Sequence, residues 1–149
     1  MFEKFTDQAR RLLSLARQEA RRRGHEYIGT DHVLIGLIEG AGDLASHALR
    51  DAGLSGRSLR GEAEKLIPNG PSDRDPEVMP FTPGLNRVID LARAEATRLG
   101  DDMVGTQHLL LGVLGQADGV AAVILTAFRV DRQEVRRRLL VALEEPPQS

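Results

Sequence analysis

The chain has no cysteine and no tryptophan, only five aromatic residues, and among its 20 basic residues only Lys4 and Lys65 are lysine. Without cysteine there is no disulfide, no thiolate nucleophile and no Cys-based zinc or iron–sulfur centre. No apolar run reaches the roughly 18 residues of a membrane-spanning helix, and Met1-Phe2-Glu3-Lys4 does not open like a signal peptide. These absences predict a cytoplasmic protein that does not engage membranes. A formal charge of −2 is too close to neutral for a general nucleic-acid binder. What is present suits a folded domain: 149 residues, 41% hydrophobic and 28% charged, enough to bury a core.

The chain repeats itself. A shift of 76 residues lays its second half on its first without a gap. Phe5-Thr6 falls on Phe81-Thr82, Leu15-Ala16-Arg17 on Leu91-Ala92-Arg93, Glu19-Ala20 on Glu95-Ala96 and Gly24 on Gly100. Gly29-Thr30-x-His32-x-Leu34-x-Gly36 falls on Gly105-Thr106-x-His108-x-Leu110-x-Gly112, and Arg60 on Arg136.

Each repeat reads as four helices. Thr6 is placed to cap a helix running to about Arg23, with Ala9, Leu12, Leu13, Ala16 and Ala20 at helical spacing and Gly24 as its stop. Thr30 is placed to cap a short second helix. A third spans about Leu44 to Ala52 and a fourth about Ser55 to Ile67, with Leu59, Ala63, Leu66 and Ile67 inward. The second repeat follows suit from Thr82 to about Leu143. Strand-type alternation is nowhere sustained, so the predicted class is all-α, two four-helix repeats packed with pseudo-twofold symmetry. Repeat one takes about residues 1–67, an exposed linker about 68–80, repeat two about 81–143 and a tail 144–149, all in one domain.

Met1-Phe2-Glu3-Lys4-Phe5-Thr6, the two Gly-Thr-x-His-x-Leu-x-Gly motifs and Pro80-Phe81-Thr82-Pro83 resemble the double-repeat N-terminal domain of the Clp ATPases, especially ClpC of the actinobacterial kind. The resemblance covers residues 1 to about 143. It implies a helical module that receives substrates and adaptor proteins for an ATPase ring, which unfolds them for a partner peptidase. It further implies recognition of arginine-phosphorylated proteins and of macrocyclic peptide antibiotics. No cofactor is implied. No Gly-x-x-x-x-Gly-Lys-Ser/Thr loop occurs, so ATP hydrolysis by the family's ring modules is not encoded here. Two settings follow: a free-standing paralogue that sequesters ligands, or the N-terminal regulatory domain of a longer ClpC-type unfoldase.

Within the resemblance, the acidic position of the Gly-Thr-x-His motif pairs with a phosphoarginine guanidinium. A carboxylate suits that planar fork, and a helix start supplies donors for the phosphate. Asp31 keeps the charge with a shorter arm, whereas Gln107 offers only a neutral carbonyl; Thr6 and Thr82 stand at the helix starts. Asp31 also reads as an acid that stabilises its own helix N-terminus. Phe2 and Phe81 correspond to the pair that clasps macrocycles, and packing alone is the other reading. Asn86 stands where relatives often carry a basic residue.

His32 and His108 occupy equivalent places, while His25 and His47 are read as having no repeat partners; no zinc-ligand spacing results. Each motif histidine is expected to hold its helix start by hydrogen bonds. No nucleophile elbow is present, so a small hydrolase using either histidine is the weakest reading and a non-enzymatic protein is expected. Phe128 is expected in the core, and the runs Arg21-Arg22-Arg23 and Arg136-Arg137-Arg138 on solvated helix faces.

Overall fold

A computed structural model describes residues 2–40, 42–73 and 78–144. Residues 74–77 of the linker and 145–149 of the tail lie outside the described residues. The described chain forms α1 (Asp7–Arg22), α2 (Thr30–Glu39), α3 (Leu44–Asp51), α4 (Gly56–Leu66), α5 (Pro83–Arg98), α6 (Thr106–Gly115), α7 (Val120–Ala127) and α8 (Arg132–Glu144). Thr6 and Thr82 cap α1 and α5 as their sequence positions predict, their hydroxyls accepting from Ala9 N and Leu85 N at 3.1 Å each.

The second helix of each repeat lies innermost. In α2 every residue from Thr30 to Ile38 is buried, and α6 is nearly as enclosed. A helix apolar on all sides belongs in the centre, and α2 and α6 pack on each other with the remaining helices around them. The motif glycines set how close the neighbours come. A Cβ on Gly36 would meet Leu12 Cδ1 at 2.7 Å, and one on Gly112 would meet the Val88 carbonyl oxygen at 2.5 Å. These glycines let α1 press on α2 and α5 on α6.

Two single parallel bridges cross between the repeats: Phe5 with Val104, and Ile28 with Phe81. They are equivalent under the 76-residue shift. Thr6 N donates to Val104 O at 2.9 Å and Val104 N to Lys4 O at 2.7 Å; Thr82 N donates to Ile28 O and Ile28 N to Pro80 O, both at 2.9 Å. Each repeat's entry segment is thus pinned to the other's pre-motif loop. A second equivalence ties first helix to last: Glu19 accepts from Arg60 at 3.1 Å, and Glu95 from Arg136 at 2.8 Å.

Several expectations need correction. Thr30 is the first residue of α2, not its cap. Its hydroxyl instead accepts from Ala121 N at 3.0 Å, 91 residues away at the start of α7. The reason lies in the other repeat. Asp43 caps α3 with its own side chain, but the equivalent Gly119 has none to offer α7. Leu66 and Ile67 are 41% and 36% exposed, because α4 ends at Leu66 and Ile67 turns away with extended backbone. Phe128 is 37% exposed, since it closes α7 just before the left-handed Arg129. The arginine runs are mostly solvated, with Arg21, Arg22, Arg137 and Arg138 exposed, and the exception is Arg23. Arg23 is 2% exposed, Arg22 binds Glu19, Arg136 binds Glu95, and Arg137 and Arg138 share Glu134.

Most of the described linker residues are exposed, but Met79 is buried and the first part is strapped down. Gly70 N donates to Arg23 O at 2.8 Å and Ser72 N to Gly24 O at 3.3 Å. Gly24 is left-handed (φ +72°), and a Cβ there would meet the Gly70 oxygen at 2.1 Å.

Candidate functional site

The start of α2 gathers an unusual set of buried polar groups. Gly29 N–H donates to His32 Nδ1 at 2.8 Å, so His32 carries its proton on Nε2. That nitrogen lies 2.9 Å from His25 Nδ1, and His25 Nε2 lies 3.0 Å from Pro68 O. With both rings neutral, every proton has one acceptor along this relay from Gly29 to the strap. Burial pushes the His32 pKa down to about 4, with His25 and Arg23 adding to the effect and Asp31 opposing it.

Beside the relay, Asp31 Oδ2 pairs with Arg23 Nη1 at 3.2 Å, both side chains 1% exposed. Arg23 Nη2 donates to Ile67 O at 2.7 Å, while its buried Nε has no hydrogen-bond partner among the described residues.

Repeat two keeps the helix closure and changes the polar groups beside it. Gly105 N–H donates to His108 Nδ1 at 2.8 Å, as in repeat one. His108 Nε2 then donates to Asp101 Oδ2 at 2.8 Å. Asp101 stands at the place of His25, so His25 does have a mate, one matched by hydrogen-bonding role rather than residue type. Leu99 stands at the place of Arg23 and Gln107 at that of Asp31. The buried ion pair is absent from this repeat as a unit. Thr106 Oγ donates to Asp43 Oδ2 at 2.8 Å, the counterpart of the Thr30 contact with α7.

A cleft of about 920 Å³ opens between the repeats over the α2 start. Asp31 and His32 line it from repeat one, Thr82, Gly84 and Arg87 from the start of α5, and Ile67 and Ser72 from the strap. A second concavity of about 550 Å³ is the notch around Phe2 and Phe81, whose ring centroids are 5.9 Å apart. Leu13, Ile28 and Met79 line it, Val78 is 77% exposed beside it, and Arg10, Arg17 and Asn86 form polar parts of its wall. Arg10 holds the N-terminal segment there, donating to Phe2 O from Nε at 3.1 Å and from Nη2 at 2.9 Å.

The six residues singled out in the sequence therefore fall into three places. Phe2 and Phe81 meet in the notch, and Asp31 and Thr82 meet in the cleft. Thr6 and Gln107 stand at the matching positions of the other half, where Gln107 Oε1 folds back over Gly105. Arg23 and His25 are the site residues that sequence reasoning passed over. The signal for Arg23 was available: it and Asp31 both differ from their repeat mates, in a pair that changes from charged to uncharged.

Residues 4–128 match the Clp repeat (R) N-terminal domain. The chain belongs to the Clp N-terminal domain family. Among curated relatives, it is 42% identical over 141 residues to a ClpA-homologue ATP-binding subunit of the ATP-dependent Clp protease from Guillardia theta, covering 94% of this chain and 17% of that one. With the chloroplastic chaperone protein ClpC of Pisum sativum the identity is 40% over 150 positions, covering 100% and 16%. This Clp N-domain thus spans about a sixth of the length of the curated relatives it matches. The solved N-terminal domain of ClpD from Arabidopsis thaliana shares its fold, with a TM-score of 0.79 at 24% identity over 97% of this chain and 100% of that one.

Proposed function

We propose that this Clp N-domain is a non-enzymatic recognition module that receives client and adaptor proteins for a Clp ATPase ring. In this reading arginine-phosphorylated groups enter the inter-repeat cleft, and apolar peptide segments, macrocycles included, enter the Phe2–Phe81 notch. The observation that carries the reading is the cleft itself. It sets a carboxylate, Asp31, within one concavity with a helix start at Thr82 and a guanidinium at Arg87, both of which favour a phosphate. The notch supports it independently, since a half-open aromatic pair framed by polar groups is the usual anchor for a peptide side chain. The motif histidines are committed to hydrogen bonds at both ring nitrogens, which favours binding over catalysis. The longer relatives support service to a ring, whether in the same chain or supplied by another.

Calorimetric titration with free phosphoarginine and with a macrocyclic peptide tests this. Arg23→Leu/Asp31→Gln, which gives repeat one the residues of repeat two, removes the Asp31 carboxylate from the cleft, and Phe2→Ala opens the notch. Saturable binding of either ligand, weakened severalfold by the matching variant, is expected. Failure of both ligands to bind refutes the reading.

A further inference from the structure

The Arg23–Asp31 pair is dispensable to the fold of a repeat, because repeat two builds the same helix start with Leu99 and Gln107. It is also an awkward thing to bury. Arg23 is 2% exposed with an Nε that has no partner among the described residues, and a burial that leaves a donor unsatisfied is not explained by packing alone. The pair's position gives it another meaning. Asp31 belongs to the lining of the cleft, whereas Arg23, which does not, holds the Asp31 carboxylate from within the protein. The same guanidinium holds Ile67 O, at the root of the strap that forms one wall of the cleft.

Resting on the reading of the cleft as a guanidinium and phosphate site, we propose that Arg23 is an internal competitor for the Asp31 carboxylate. Its guanidinium engages Asp31 Oδ2, one of the two oxygens that a bidentate ligand guanidinium would need. A ligand gains both Asp31 oxygens only when Arg23 leaves Oδ2, and leaving also gives up the bond to Ile67 that anchors the strap. Ligand binding and loosening of the strap are therefore one event. Repeat two has no such competitor, and no charged carboxylate for a competitor to guard.

Free phosphoarginine titrated into the wild type, Arg23→Leu and Arg23→Leu/Asp31→Gln tests the proposal. Arg23→Leu should bind roughly tenfold or more tightly than wild type, the gain expected when a binding-competent state populated at a tenth or less becomes the only one. The double variant should lose that gain. Arg23→Leu binding no tighter than wild type overturns the proposal. Should that variant fold poorly, the wild type supplies a second measurement: with isotope-labelled arginine side chains, saturating phosphoarginine must shift the Arg23 Nε–H resonance. Binding that leaves this resonance in place also overturns it. If no folded variant binds phosphoarginine while the macrocycle still binds, Arg23 gating falls and the notch stands. If neither ligand binds, the recognition reading itself falls.

Discussion

Asp31→Gln, Arg23→Leu and their combination form a double-mutant cycle whose outcome follows from burial. The two side chains are 1% exposed and 3.2 Å apart, so neither charge has water to fall back on. Asp31→Gln alone leaves a buried guanidinium with the Ile67 carbonyl as its one strong partner. Arg23→Leu alone leaves a buried carboxylate 3.6 Å from His32 Nε2, a proton already given to His25. Removing one partner of a buried pair costs about 3–5 kcal/mol, because the other is stranded. Replacing both with groups of similar size is close to neutral, within about 1–2 kcal/mol, since two desolvation penalties disappear with the attraction. The coupling should then exceed about 3 kcal/mol, above the range of ordinary neighbours. In a domain of this size each kcal/mol moves the melting midpoint by roughly 2–4 °C, so the single variants should melt roughly 6–20 °C lower and the double near wild type. Thermal and urea unfolding followed by far-ultraviolet circular dichroism give these values. Single variants within about 1 kcal/mol of wild type, or additive losses in the double, would show that the pair is solvated and the reasoning wrong.

Three further outcomes are expected. His32 is held neutral down to about pH 4, while in the unfolded chain it takes up a proton below about 6.5. The unfolded state binds the extra proton in that window, so stability should be flat above it and fall by about 1.4 kcal/mol per unit as pH drops towards 4; an unchanged urea midpoint between pH 7 and 4.5 contradicts this. Thr30→Val removes the side-chain acceptor of the Ala121 amide at the start of α7 and should cost about 1 kcal/mol with faster exchange of that amide, whereas Thr106→Val should cost less because Asp43 still caps α3. Equal losses for the two would deny the cross-repeat cap. Gly24→Ala puts a Cβ 2.1 Å from the Gly70 oxygen and should open the strap to protease, while Gly100→Ala, which meets nothing within 4 Å, should cost only its backbone strain of about 1 kcal/mol. Similar cleavage of both variants would rule out that difference.

The helical scaffold was legible because its signals are local. Thr6 and Thr82 accept from amides three residues on, Gly24 and Gly100 are left-handed stops, and the 76-residue shift aligns all of them at once. The errors came from partners distant in sequence. Nothing near Thr30 announces Ala121, and an arginine run reads as solvated until Arg23 is seen facing Asp31 eight residues on, past a glycine turn. Leu66 and Ile67 satisfied the helical period, but the period cannot tell where α4 lets go of the chain. His25 and Asp101 were missed as mates because identity was compared rather than the ability to accept from the motif histidine.

The crossed bridges bear on what the smallest folding unit is. The bridge partners of Phe5 and Ile28, Val104 and Phe81, both belong to the opposite repeat, so neither repeat closes its own ladder. The first half by itself would be left with open backbone groups at Lys4, Thr6 and Ile28. Two identical halves would find in each other the groups that each lacks, and would close as a swapped pair with the same crossing. In that sense the chain is a covalent dimer. Its linker removes the dependence of folding on concentration that two separate halves would have, and leaves each half able to diverge, as the ion pair held by one repeat and not the other records.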